Sequence, residues 1–138
     1  MVILALTENK LDADAAKNVS PVVLAYIGDS VHSLYVRTKL ILDTSKKVKD
    51  MHDLSSSYVN AGSQARAYEH LSKEFTLEET DVFKRARNFK NNQSAKHASI
   101  VDYRKATGFE AVLGYLYLSG QTERLNYILD KSTKETKE

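Results

Sequence analysis

Apolar residues along this chain recur at every third or fourth position, which is the spacing of an α-helix and not the alternation of a strand. The first long helix begins at Ser20-Pro21, where serine is a favourable N-cap and proline is tolerated at the first helical position. We predict that this helix runs to about Leu42. Its buried face comprises Leu24, Ile27, Val31, Leu34 and Tyr35.

The same periodicity predicts a second long helix from Met51 to about Leu71. Its buried stripe comprises Leu54, Tyr58, Ala61, Ala65 and Tyr68. A third helix begins after Thr76, because Thr76 and Glu79 have the spacing of a capping box.

Two further helices are predicted in the last third of the chain. One covers about residues 99–118 and is ended by Gly120, and a shorter one covers residues 122–129. A polar run at residues 91–94 predicts a loop, and the charged residues 131–138 predict a disordered tail. The sequence therefore predicts an all-α helical bundle with one domain over residues 1–130.

Two positions break the rules for helix interiors. Gly28-Asp29-Ser30 places three poor helix formers two turns inside the first long helix. Violations of local preference tend to mark functional sites. The flanking Ile27 and Val31 suggest that Asp29 is partly buried, and a buried carboxylate needs a cation or several donors.

The second position is Glu110, the only charged residue in the decamer 109–118, which is apolar on nearly every side. Two isolated acids on different helices, each near a glycine that permits close packing, could converge on one Mg²⁺. The alternative is that each acid forms a buried ion pair, with Arg37 or Arg104 as the candidate partner.

The segment from Val82 to Val101 contains no acidic residue, although the formal net charge of the whole chain is only +2. This composition predicts a surface that contacts a polyanion, whereas the alternative is an ordinary solvated helix face. The candidate contact residues are Lys84, Arg85, Arg87, Asn88, Lys90 and Lys96. Asparagines and nearby polar residues could also donate to phosphates and 2′-hydroxyls.

Composition excludes several classes of site. The chain has no cysteine, so disulfides and thiolate-bound zinc are absent. The apolar run at residues 2–6 is too short to span a membrane, so we expect a cytoplasmic protein. His52-Asp53 is similar to the adjacent ligand pair of HD-type metal phosphohydrolases, but the flanking ligands that such a site requires have no clear spacing here.

Two motifs resemble the ribonuclease III domain: residues 24–31, Leu-Ala-Tyr-Ile-Gly-Asp-Ser-Val, and residues 107–114, Thr-Gly-Phe-Glu-Ala-Val-Leu-Gly. Further matches lie at residues 35–37, 58–61, 64–65, 84–88, 103–104 and 114–118. More narrowly, the chain resembles the bacterial Mini-ribonuclease III branch, which lacks a separate double-stranded-RNA-binding domain.

The resemblance implies a homodimeric endoribonuclease that hydrolyses double-stranded RNA with Mg²⁺, for which Mn²⁺ can substitute. It implies 5′-phosphate products, a large-subunit ribosomal RNA precursor as the substrate and a ribosomal protein as a further partner. Asp29 and Glu110 match the two central metal-binding acids. Ser30, His32, Arg37, Tyr103 and Arg104 are candidates for supporting or packing roles.

The chain departs from the family pattern at four positions. Ala25 and Thr107 stand where larger relatives have acids, so we expect a sparser metal site. Ala86 and Ala95 stand where glycine and proline are expected in the basic segment. A non-catalytic RNA- or ribosome-binding module with the same fold stays open as an alternative.

Overall fold

The computed structural model describes residues 10–43, 47–89 and 99–135, and this part of the chain contains helices and no strand. The α-helices are α1 (Ala13–Lys17), α2 (Pro21–Asp43), α3 (Val48–Tyr58), α4 (Ala61–Leu71), α5 (Leu77–Arg87), α6 (Ile100–Leu118) and α7 (Thr122–Glu135). A 3-10 turn, Ser72–Glu74, follows α4. The predicted all-α fold is confirmed. No helix of these residues is long and apolar enough to cross a membrane.

Helix α6 forms the centre of the bundle, with α1, α2, α4, α5 and α7 packed around it. Every residue from Ala111 to Leu116 is buried, because this stretch has no polar face to turn towards solvent. The core around it includes Leu24, Leu71, Phe83, Phe109 and Ile128, each fully buried. The apolar decamer thus specifies a central helix.

The ends of the helices follow local capping signals. Thr76 and Glu79 form the predicted capping box of α5 through both reciprocal hydrogen bonds. Helix α6 begins after Ser99, whose side chain accepts a hydrogen bond from the Asp102 N–H. At its other end Gly120 adopts φ 70°, while the Gln121 N–H donates to the Leu116 carbonyl. This is a Schellman termination, which glycine favours because it has no Cβ.

Three expectations about the helices need correction, and one short helix was missed. The predicted helix over residues 51–71 is two helices, because Asn60 leaves helical geometry and its side chain caps α4 by accepting from the Ser63 N–H. Helix α7 continues to Glu135, and Ser132 and Thr133 are buried, so the predicted disorder is wrong for residues 131–135. Leu34 is 47% exposed and lies outside the core. The short helix α1 was not predicted.

The structure leaves some expectations untested. The loop at residues 91–94 and the apolar run at residues 2–6 lie outside the described residues. Lys90 and Lys96 of the basic segment also lie outside them.

Helices α2 and α6 cross in backbone contact at two glycines. A Cβ placed on Gly28 would lie 1.7 Å from the Glu110 carbonyl oxygen, and one placed on Gly114 would lie 2.0 Å from the Leu24 carbonyl oxygen. Both distances are far below van der Waals contact. Two glycines therefore bring the two anomalous acids to the same crossing.

Candidate active site

Asp29 and Glu110 meet at the crossing of α2 and α6. Gly28 packs on the Glu110 backbone, and the carboxyl groups of Asp29 and Glu110 lie within hydrogen-bonding reach of each other. Asp29 is exposed, which corrects the expectation that it is partly buried. Its neighbour Gly28 faces the core. Because successive residues of a helix are rotated by about 100°, the Asp29 side chain points towards solvent.

The proximity of two carboxyl groups changes the protonation of Glu110. Burial, the hydrogen bond to Asp29 and the Asp29 charge raise the pKa of Glu110 to about 9. A hydrogen bond from Gln64 opposes this rise. Without a cation, Glu110 is therefore protonated, and its O–H can donate a hydrogen bond to the Asp29 carboxylate. This is expected when two acidic groups share one site.

Gln64 and His32 form the buried wall behind Glu110. The Gln64 Nε2 donates to Glu110 Oε2 at 3.3 Å and lies 3.0 Å from the His32 Nδ1. His32 is 3% exposed and meets the Phe109 ring edge-on at a centroid distance of 5.8 Å. Burial lowers the pKa of His32 to about 4, against the opposing effect of the Asp29 charge, so the imidazole is neutral at ordinary pH.

Sequence reasoning did not single out Gln64 as a site residue. A signal was present, because Gln64 lies three residues after Ala61 and four before Tyr68, both on the predicted buried stripe. Glutamine is seldom buried without a partner. A polar amide on a buried stripe should therefore have been treated as a candidate.

The buried ion-pair alternative is not supported. Arg37 and Arg104 are both exposed, and the ion pairs of the described residues do not include Asp29 or Glu110. Among the residues that the structure describes, the two acids thus face each other without a basic partner. A divalent cation would replace the shared proton and remove the repulsion, so the donor set fits a metal ion.

The carboxyl pair forms a sparse site. Within residues 10–43, 47–89 and 99–135, no group of three or more histidine, aspartate or glutamate side chains could hold a metal ion. Mg²⁺ suits such a site, because it commonly takes one or two carboxylates and completes its shell with water and phosphate oxygens. The HD-type alternative loses support, since His52 and Asp53 are exposed on α3 and belong to no such cluster.

The other proposed supporting residues make no side-chain contact with the two acids among the described interactions. Ser30, Arg37 and Arg104 are exposed, and the Tyr103 carbonyl accepts from the Thr107 hydroxyl at 3.0 Å. Arg37 instead lines a cavity between α2 and α3. The other lining residues are Leu40, Ile41, Met51, His52 and Ser55.

The basic residues of α5 differ in their surroundings. Lys84 is exposed, whereas the Arg85 Nη2 donates to the Lys17 carbonyl at 2.6 Å and its Nε lies 3.3 Å from Asp81. Arg87 stacks over Phe83 at 5.6 Å and donates to the Asn88 side chain at 3.0 Å. Arg85 therefore already has a role in joining α1 to α5, while Lys84 is open to solvent.

Comparison with known proteins agrees with this architecture. The family model of the ribonuclease III domain matches residues 22–121, which include both acids. A Mini-ribonuclease 3 from Thermoanaerobacter sp. is 42% identical over 128 residues, covering 93% of this chain and 90% of the relative. Another from Staphylococcus aureus is 44% identical, covering 83% and 87% of the two chains.

A crystal structure of a protein from Fusobacterium nucleatum has the same fold, with a TM-score of 0.74 and 26% identity. The similarity covers 82% of this chain and 90% of that one. The region matched by the ribonuclease III family model, residues 22–121, contains the crossing of α2 and α6 at Gly28 and Gly114. It also contains the carboxyl pair, Asp29 and Glu110. The chain therefore belongs to the ribonuclease III-domain family of double-strand-specific endoribonucleases, and within it to the Mini-ribonuclease 3 group.

Proposed function

We propose that this protein is a Mg²⁺-dependent endoribonuclease in which Asp29 and Glu110 hold the metal ion, and that Mn²⁺ can replace Mg²⁺. The observation that carries the proposal is the close approach of two acidic side chains from different helices, neither of which forms an ion pair within the part of the chain that the structure describes. Such a pair is costly to keep charged unless a cation joins it.

Each residue has a distinct part in the proposed reaction. Asp29 presents its carboxylate towards solvent, where an RNA phosphate can approach, and Glu110 supplies the second oxygen ligand from the buried side. A Mg²⁺ ion held by Asp29 and Glu110 would supply activation of a water nucleophile and stabilisation of charge on the phosphate as the 3′-oxygen leaves. Gly28 keeps the two acids together by permitting the backbone contact between their helices.

The proposed substrate is double-stranded RNA, and specifically a precursor of large-subunit ribosomal RNA cut to products with 5′-phosphates. Support comes from the Mini-ribonuclease 3 relatives and from the segment without acidic residues that begins in α5. Lys84 and Asn88 are exposed there and can contact phosphates and 2′-hydroxyls, together with Arg85, Arg87, Lys90 and Lys96. A cytoplasmic location and a ribosomal protein partner belong to the same proposal.

We also propose that the protein acts as a homodimer. Helix α2 exposes an apolar stripe on the side away from the core, formed by Val23, Tyr26, Leu34 and Ile41. Tyr26 is 77% exposed, which is unusual for a large side chain in a helix that is apolar on both sides. A two-fold dimer would also place two sites on the two strands of a duplex. Sedimentation of a monomer at concentrations that support cleavage would contradict the dimer.

One experiment tests the enzymatic proposal. The wild-type protein, Asp29→Asn and Glu110→Gln are incubated with duplex RNA, single-stranded RNA and nucleotides, with Mg²⁺ or with a chelator. We expect cleavage of duplex RNA only, dependent on metal and lost in both variants. RNA binding without cleavage by the wild type would favour the non-catalytic module, and nucleotide hydrolysis would favour an HD-type enzyme.

A further inference from the structure

Gln64 lies between an oxygen of the Glu110 carboxyl group and a ring nitrogen of His32. Its amide nitrogen is 3.3 Å from Glu110 Oε2 and 3.0 Å from the His32 Nδ1. An amide nitrogen carries two hydrogens, so one Gln64 side chain can donate to both groups at once. The contact joins three helices, because His32 lies on α2, Gln64 on α4 and Glu110 on α6.

The arrangement restricts the side chain of Gln64 to one orientation. Gln64 and His32 are 4% and 3% exposed, so water does not compete for their hydrogen bonds. With the His32 ring proton on Nε2, turning the amide over would place the amide oxygen against two acceptors, Glu110 Oε2 and the His32 Nδ1. His32 in turn is packed against the edge of Phe109. The donor is therefore held in place by packing as well as by hydrogen bonds.

The chemistry of glutamine suits a residue that positions a metal ligand. A lysine or arginine at this point would neutralise Glu110 and compete with a cation. A neutral amide holds one carboxylate oxygen and leaves the full negative charge available to the metal. Partners of this kind orient metal ligands, and their loss typically lowers metal affinity or activity by roughly 10- to 100-fold.

We propose that Gln64 is a positioning residue that orients the Glu110 carboxylate for the metal ion, with His32 fixing the direction of the Gln64 amide. This inference rests on the proposed function of Asp29 and Glu110 as metal ligands. It assigns Gln64 no contact with the RNA or with the reacting phosphate.

The test variant is Gln64→Met, which keeps a long unbranched side chain and removes both donors. The matched control is Gln121→Met, because Gln121 also donates through Nε2, but to Ser119 beyond the end of α6. Mn²⁺ binding to the RNA-free protein is measured by calorimetry. We expect Gln64→Met to bind Mn²⁺ roughly 10- to 100-fold more weakly and Gln121→Met to bind it like the wild type.

Cleavage provides a second readout that separates positioning from a general structural defect. At saturating duplex RNA and low Mg²⁺, we expect Gln64→Met to lower kcat by a similar factor, with unchanged RNA affinity in Ca²⁺. Raising the Mg²⁺ concentration should then restore much of the rate. A loss that excess metal does not relieve, or wild-type metal affinity in Gln64→Met, would overturn the inference.

A third measurement needs no variant and decides the matter if Gln64→Met does not fold. Nitrogen chemical shifts of the His32 ring in the wild-type protein should show a proton on Nε2 and an unprotonated Nδ1 that accepts a hydrogen bond. A proton on Nδ1 would reverse the Gln64 amide and overturn the inference. Failure of the wild type to cut duplex RNA would instead count against the proposed function, because the Mn²⁺ and histidine measurements do not depend on cleavage.

Discussion

The carbonyl oxygen of Glu110 occupies the space in which a side chain at position 28 would begin. A Cβ on Gly28 would lie 1.7 Å from this oxygen and 2.6 Å from the carbonyl carbon. Both obstacles are backbone atoms of the central helix, which cannot move aside as the end of a flexible side chain can. The same contact that excludes a methyl group brings Asp29 alongside Glu110.

We therefore expect Gly28→Ala to disrupt both stability and activity. The added methyl group must push α2 away from α6, and overpacking of this kind typically costs about 1–3 kcal/mol, with larger values where backbone is the obstacle. Urea unfolding measures the loss, and Mn²⁺ binding measures the separation of the two acids.

Gly62→Ala is the matched control for this change. A Cβ on Gly62 in α4 would meet only side-chain atoms of Arg66 and Asn60, at 3.4 and 3.5 Å. Alanine is a better helix former, so we expect unchanged or slightly higher stability at this position. Equal stability of the two variants would contradict the described crossing.

Asp29→Asn should separate folding from catalysis. Because Asp29 is exposed, its neutralisation leaves the core untouched, and it removes the charge that helps to raise the pKa of Glu110. We expect the metal-free variant to melt at the same temperature as the wild type or above it, with cleavage lowered by at least roughly 100-fold. Thermal unfolding in chelator and a cleavage assay in Mg²⁺ measure the two effects.

The control for this prediction is Asp53→Asn, the same change at an exposed position of α3. We expect wild-type cleavage from it. Loss of activity in Asp53→Asn, with activity retained in Asp29→Asn, would move the metal site to α3 and revive the HD-type alternative.

Lys84→Ala should weaken RNA binding by reducing electrostatic attraction. Lys84 is exposed, whereas Arg85 is engaged by Lys17 and Asp81, so the lysine offers the cleaner test. We expect weaker affinity for every duplex sequence and a salt dependence whose slope falls by about one. Fluorescence anisotropy at several salt concentrations, in Ca²⁺, measures both quantities.

Lys73→Ala, at an exposed lysine of the 3-10 turn, removes the same charge outside the basic segment. A similar fall in affinity and slope for both variants would mean that overall charge, and not this segment, governs binding.

Arg124→Met should destabilise the fold far from the carboxyl pair. Arg124 donates to both carboxylate oxygens of Glu79 at 2.9 Å, and Glu79 is 1% exposed. Removing the arginine leaves a buried carboxylate without its ion-pair partner, which costs roughly 3–5 kcal/mol. Chemical denaturation measures this loss, and Mn²⁺ affinity of the folded variant should not change.

Lys134→Met provides the comparison, since its ion pair with Asp130 is largely exposed. Surface pairs contribute about 0–1 kcal/mol, so we expect little change. A small effect in Arg124→Met as well would show that Glu79 is satisfied by its capping box alone.

Features encoded within a few neighbouring residues could be predicted from the sequence. The capping box of α5, the serine cap and glycine end of α6 and the buried decamer follow from local hydrogen bonding and from the lack of a polar face. The same reasoning singled out Asp29 and Glu110, because an acid inside an apolar helix is anomalous wherever the helix packs. Local reasoning could not show that the helix is interrupted at Asn60. There the side chain caps the start of α4, and the backbone leaves helical geometry instead of continuing the preceding helix.

Contacts between helices were decided only by the tertiary structure. Periodicity assigned Leu34 to the core, but α2 is apolar on two sides, and packing on α6 selects only one of them. Likewise, no local signal shows that Arg85 reaches Lys17 or that Gln64 lies between His32 and Glu110. The sequence by itself determined most of the helices and the two unusual acids. Which of their side chains meet depends on how the helices cross, and the crossing is set by two glycines whose effect appears only when α2 and α6 are in contact.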